Sequence, residues 1–180
     1  MRKVYLTGAS CSGVTTLGRG LAKALDLIHV DCDDFYWLPT DPPFTDKRDA
    51  AERIQMIGGA LGNDGWVLSG SFDGWGDSLI TDVDLIVMVI TPTPVRMARL
   101  RNRERQRYGD RLLPGHDMHG NHKAFAEWAS RYDDPNFTGR NLHRHLAWLA
   151  KQTVPTLQVD GQQTVLALVD QVLVELERCC

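Results

Sequence analysis

The stretch Gly8-Ala9-Ser10-Cys11-Ser12-Gly13-Val14-Thr15-Thr16 decides how the rest of the chain is read. It follows the phosphate-binding pattern G-x-x-x-x-G-K-[ST] at both glycines and at Thr15, but Val14 stands where the pattern has lysine. An apolar run, Val4-Tyr5-Leu6, precedes it, and Leu17, Leu21 and Leu25 follow at the four-residue repeat of an amphipathic helix. A buried strand, a loop of small residues and a helix start turn successive backbone N–H groups onto one point, where the helix dipole adds positive potential. All nine residues from Gly8 to Thr16 are therefore expected to cradle phosphate, with the Thr15 hydroxyl on Mg²⁺. The plainer reading is a glycine-rich turn that binds nothing.

Working outward, four more short apolar runs recur: Leu27–Val30, Trp66–Leu68, Leu85–Ile90 and Thr156–Val159. Leu85 to Ile90 is apolar throughout, as a strand buried on both faces should be. Helical periods lie between the runs, at Ala50, Ile54, Ile57 and Leu61, and later at Val165, Leu168, Val169, Val172 and Leu176. This alternation predicts an α/β fold with a parallel sheet and helices on both faces, where ligands collect at the carboxyl ends of the strands. One interval is too long for a single crossover. From about Val95 to Lys151 it holds an arginine-rich helix, a turn-rich piece and two further helical patterns, and long insertions of this kind are usually functional, often lids.

Bulk properties narrow the classes. The chain has 180 residues with 43% hydrophobic and 24% charged, which suits one globular domain spanning 1–180. A formal charge of −3 argues against a nucleic-acid partner, and no apolar run is long enough to span a bilayer. Only four residues separate Met1-Arg2-Lys3 from Gly8, so no signal peptide is expected. The cysteines Cys11, Cys32, Cys179 and Cys180 suit a reducing interior, so the expected compartment is the cytoplasm. The expected assembly is a monomer or a homodimer. Cys11 lies among loop amides that would lower a thiol pKa, an arrangement that makes it a candidate reactive cysteine.

After the second strand comes Asp31-Cys32-Asp33-Asp34, a costly acidic cluster unless cations or donors meet it. If the extended conformation continues, Asp31 and Asp33 point to the same side, where they would hold Mg²⁺ through water and orient an acceptor hydroxyl. The alternative is a solvated turn capping a helix. After the third strand, Ser69-Gly70-Ser71-Phe72-Asp73-Gly74-Trp75 permits close backbone approach at Gly70, and Trp75 would floor a substrate pocket or seal the sheet edge. His116, His119 and His122 at three-residue spacing read as a polar lid tip more readily than as a metal site.

With these residues in place the chain resembles the P-loop small-molecule and nucleoside-monophosphate kinases of the adenylate and shikimate kinase group. The resemblance rests on Gly8–Thr16, Asp31-x-Asp33, Ser69-Gly70 and the arginine-rich segment. It implies a three-layer P-loop NTPase fold with a five-stranded parallel sheet in the order 2-3-1-4-5 and a helical lid at about 108–141. It further implies ATP and Mg²⁺ as cofactors, Asp33 at the phosphoryl acceptor, and Asp31 with Thr15 in the magnesium shell. Arg107-Tyr108-Gly109-Asp110-Arg111 has the R-x-x-x-R spacing found at the adenylate kinase lid. Arg103, Arg107 and Arg111 are accordingly the candidate catalytic cations, and the candidates to replace the lysine missing at Val14. Asp31, Asp33, Gly70 and Trp75 are the candidate acceptor contacts. The expected activity is transfer of the ATP γ-phosphoryl group to a small-molecule or nucleotide acceptor. The competing expectation is a regulatory nucleotide-binding protein that transfers nothing.

Overall fold

The computed structural model describes residues 2–72 and 74–179; Met1, Asp73 and Cys180 lie outside them. Five strands, β1 (Lys3–Gly8), β2 (Ile28–Asp31), β3 (Trp66–Ser69), β4 (Leu85–Ile90) and β5 (Thr156–Asp160), form one sheet in the order β2-β3-β1-β4-β5. Every pairing is parallel, with Val4 opposite Val67 on one side and Leu85 on the other. The central strands carry apolar residues on both faces because helices cover both. Side chains alternate along them. Val4, Leu6, Val87 and Val89 join the core beneath α1 (Val14–Leu25) and α7 (Val165–Arg178). Tyr5, Ile86 and Met88 face the opposite core, packed with Ile57 and Leu61 of α3 (Ala50–Leu61).

This is the expected three-layer arrangement, and its strand order puts the carboxyl end of β1 at the middle of one sheet edge. Beyond β4 the chain runs through α4 (Thr93–Tyr108), α5 (His119–Ser130) and α6 (Leu142–Leu149) before returning to β5. A one-turn helix, α2 (Asp33–Tyr36), follows β2. Arg96 of α4 fastens the long insertion to the sheet. Its side chain is 1% exposed and donates to the carbonyls of Thr91 and Ala129 at 3.0 and 3.1 Å.

The start of α6 is set by Asn141, which is buried. Its side chain accepts from Arg144 N at 2.8 Å and donates to Phe137 O at 2.6 Å. Asn141→Ala is expected to cost about 1–2 kcal/mol through the lost cap and the unpaired Phe137 carbonyl, read as a lower midpoint in urea.

Candidate functional site

β1 delivers the chain to Gly8, where a Cβ would stand 2.6 Å from both Ser12 Oγ and Val89 O; only hydrogen fits. Gly13 at φ 107° and Cys11 at φ 62° take left-handed conformations that fold the loop back on itself. Thr91 Oγ1 and Arg99 Nη1 donate to the Ser12 carbonyl at 2.9 and 3.0 Å, and Arg99 Nη2 donates to the Gly161 carbonyl at 2.8 Å. These bonds occupy the Ser12 carbonyl and tie the loop to Gly161, while the first amides of α1 have no acceptor within the helix. Val14 is 8% exposed and packs in the core with Leu17 and Val89, so its contribution to the loop is backbone alone.

The acidic pair sits directly beside this loop. Thr15 Oγ1 donates to Asp31 Oδ2 at 2.7 Å, and Asp33 N donates to Asp31 Oδ1 at 3.1 Å. Asp33 is open to solvent on one side, but desolvation, and then the charge of Asp31, raise its carboxyl above the ordinary range. Arg140 and then Arg103 oppose that rise. Hydroxyl and carboxylate oxygens are the donor set that Mg²⁺ prefers, and Thr15 and Asp31 lie within one hydrogen bond of each other. Among the described residues no group of three His, Cys, Asp or Glu is placed to hold a metal ion by itself.

The remaining predicted residues fall in different surroundings. Gly70 receives the Tyr5 hydroxyl on its carbonyl at 3.0 Å, next to buried Cys32. The Trp75 ring packs edge-on against Phe72 at 5.0 Å and covers the Arg53 guanidinium at 4.7 Å. Tyr36 takes the same guanidinium at 4.2 Å. Arg103 is held to the buried carboxylate of Glu104 at 3.2 Å, and Arg107 is exposed. Arg111 is paired with Asp117 and, at 3.1 Å, with Asp41. His119 Nδ1 lies 2.9 Å from Leu112 O, and His122 lies 3.7 Å from Glu104. The Cys11 thiol, expected to be lowered by loop amides, is instead pushed up, because desolvation outweighs the opposing charge of Arg103.

A cavity of about 150 Å³ is lined by Tyr5, Phe72, Gly74, Arg140, Arg144, His145 and Trp148, and Arg140 links it to the loop by donating to Ser10 Oγ at 3.2 Å. Its back wall is a buried hydrogen-bonded chain: Thr7 Oγ1 lies 3.0 Å from His145 Nε2, and His145 Nδ1 lies 2.8 Å from the Tyr132 hydroxyl. Burial, followed by the charge of Arg140, lowers His145 to about 4, so the ring is neutral at pH 7. Because the folded-state pKa lies below the unfolded value of about 6.5, the neutral ring stabilises the fold fully above pH 6.5. That contribution, on the order of 3 kcal/mol, is lost as pH falls from 6.5 towards 4. His145→Gln is expected to flatten the urea-midpoint profile between pH 4 and 6.5.

Arg140, Arg144 and His145 escape a motif search because they lie in and just after 134–141, a stretch with no period and no known spacing. The only available signal was a basic residue beside a glycine inside the insertion.

Comparison with known proteins bears on the fold. No family model matches the chain. Solved structures that resemble it include a gluconokinase from Sinorhizobium meliloti 1021, 19% identical, covering 98% of this chain and 92% of that one at a TM-score of 0.56. A sugar kinase from Janibacter sp. HTCC2649 is 16% identical over 98% of this chain and 95% of that one, also at 0.56. The fold is thus that of the P-loop kinases. In sequence, the uncharacterized protein YqaC of Bacillus subtilis (strain 168) is 39% identical over 173 residues, 96% of each chain. The chain belongs to the same family as that protein.

Proposed function

We propose that the protein is an ATP-dependent phosphotransferase acting on a small metabolite. One observation carries this reading: the 2.7 Å bond from Thr15 to Asp31, which joins the phosphate loop to the acidic strand end and sets Asp33 beside both. A phosphate cradle alone needs no such partner, whereas phosphoryl transfer needs a metal shell and an acceptor-orienting carboxylate within reach of the loop.

In this mechanism the amides from Ser10 to Thr16 hold the β- and γ-phosphates of ATP. Thr15 and Asp31 would hold Mg²⁺, which neutralises phosphate charge when bound. The acceptor oxygen attacks the γ-phosphorus as the bond to the β,γ-bridging oxygen breaks, and ADP leaves with that electron pair. The acceptor proton passes to the Asp33 carboxylate, whose raised pKa suits a general base.

The cavity favours a small acceptor over a nucleotide. A space of about 150 Å³ matches a benzene-sized guest, far below the roughly 300–1,000 Å³ of drug-sized pockets. Its aromatic walls suit a ring or carbon chain, and the guanidinium groups of Arg140 and Arg144 suit an acidic substituent. The structurally similar gluconokinase and sugar kinase belong to the same broad class of acceptor chemistry.

Val14 favours a second reading, a nucleotide-binding protein without transfer, since its buried side chain brings no cation to the loop. A coupled assay of ADP release against sugars, hydroxy acids and nucleoside monophosphates separates the two. MgATP at a hundred times its dissociation constant is expected to add about 2.7 kcal/mol, raising Tm by roughly 5–10 °C. No shift with ATP or GTP would remove the phosphate-loop reading altogether.

A further inference from the structure

Every phosphate loop of this kind needs a cation over the transferred group, and Val14 removes the usual one. The basic residues near the loop are mostly committed elsewhere. Both terminal nitrogens of Arg99 bond backbone carbonyls behind the loop. Arg96 is 1% exposed and bonded to Thr91 and Ala129, Arg103 is paired with Glu104, and Arg53 lies between Tyr36 and Trp75. Lys3 is paired with Asp82 on the far side of β1, and Lys23 lies in the last turn of α1.

Arg140 differs on each point. Its Nη2 donates to Ser10 Oγ at 3.2 Å, on the phosphate loop itself. Its Nε is buried and has no hydrogen-bond partner among the described residues. The guanidinium lies 5.2 Å from the Trp128 ring centre, and the side chain lines the acceptor cavity. One planar cation therefore touches the donor loop and the acceptor space at once, with donor capacity unspent. Its position is built: Asn141, next in sequence, is locked as the cap of α6, and Trp128 stacks beneath it.

We propose that Arg140 is a catalytic residue that contacts the γ-phosphoryl group of ATP and supplies the charge that lysine supplies in other phosphate loops. The proposal rests on the phosphotransferase reading above. In the transfer step Arg140 forms and breaks no covalent bond. It neutralises the three γ-phosphoryl oxygens as the bond to ADP lengthens and the bond to the acceptor oxygen forms. The field of the same guanidinium reaches Asp33 and helps keep that carboxylate ionised. The missing lysine has thus moved from the loop to the lid insertion.

The test uses calorimetric affinities of MgATP and MgADP for the wild type, Arg140→Ala and Arg140→Lys, with no acceptor present. A residue on the γ-phosphate affects ATP alone. Arg140→Ala is expected to lose roughly 10- to 100-fold in ATP affinity, as for one charge-assisted bond pair, with ADP affinity unchanged. Arg140→Lys is expected to lose less for ATP, since it keeps the charge without the fork. Equal losses for both nucleotides, or none, overturn the assignment; should the alanine variant fail to fold, an unchanged ATP-to-ADP ratio in Arg140→Lys does so. An ATP-selective loss alongside ADP release with no acceptor tested leaves Arg140 on the γ-phosphate and overturns the phosphotransferase reading instead. A wild type that binds neither nucleotide overturns both.

Discussion

Asp33→Asn is expected to lower phosphoryl transfer by roughly 10²- to 10⁴-fold while MgATP affinity stays unchanged. The amide matches the carboxylate in shape, so α2 and its bond from Asp33 N to Asp31 Oδ1 are kept. Only the capacity to accept the acceptor proton goes. The wild-type pH profile should carry an acidic limb, since a base with a raised pKa is protonated, and inactive, as pH falls through that value. The limb should vanish from the residual rate of the Asn variant. A loss of affinity with unchanged kcat would instead place Asp33 in acceptor binding.

Arg96→Ala is expected to destabilise the fold by about 3–5 kcal/mol, lowering Tm by roughly 10 °C. The side chain is fully enclosed, lies 5.0 Å from the Tyr132 ring and bonds the carbonyls of Thr91 and Ala129, so truncation leaves both oxygens buried and unpaired. Thr91 also bonds the loop through Ser12 O, and Ala129 belongs to α5 of the long insertion. The variant should therefore weaken nucleotide binding as well as stability. Arg96→Lys restores the charge but reaches fewer acceptors, and is expected to recover only part of the loss. Thermal melts with and without MgATP measure both effects.

The fold was legible because its signals are local. Leu85–Ile90 is short, apolar throughout and closed by Pro92 just beyond it, the pattern of a buried strand, and the spacing Gly8–Gly13–Thr15 names the loop that follows β1. The candidate site was legible as far as it follows a strand end, where Asp31 closes β2 and Asp33 opens α2. Contacts made across the chain were not. Arg111 has the spacing of a lid cation, yet one of its two carboxylate partners, Asp41, is 70 residues away and on an irregular segment. Arg140 reaches Ser10 across 130 residues from a stretch without helical period. His145 reads as one polar residue on α6 until burial puts it between Thr7 and Tyr132. Periodicity reports which face of an element is buried; it carries no information on which distant element supplies the partner.

The phosphotransferase reading is tested most directly by following MgATP and a panel of small hydroxy acids and sugars by phosphorus NMR in the presence of the protein. A new phosphomonoester resonance, growing in step with ADP and absent with Asp33→Asn, is the predicted result. MgATP that binds and raises Tm, yet gives no phosphomonoester with any acceptor, would contradict it.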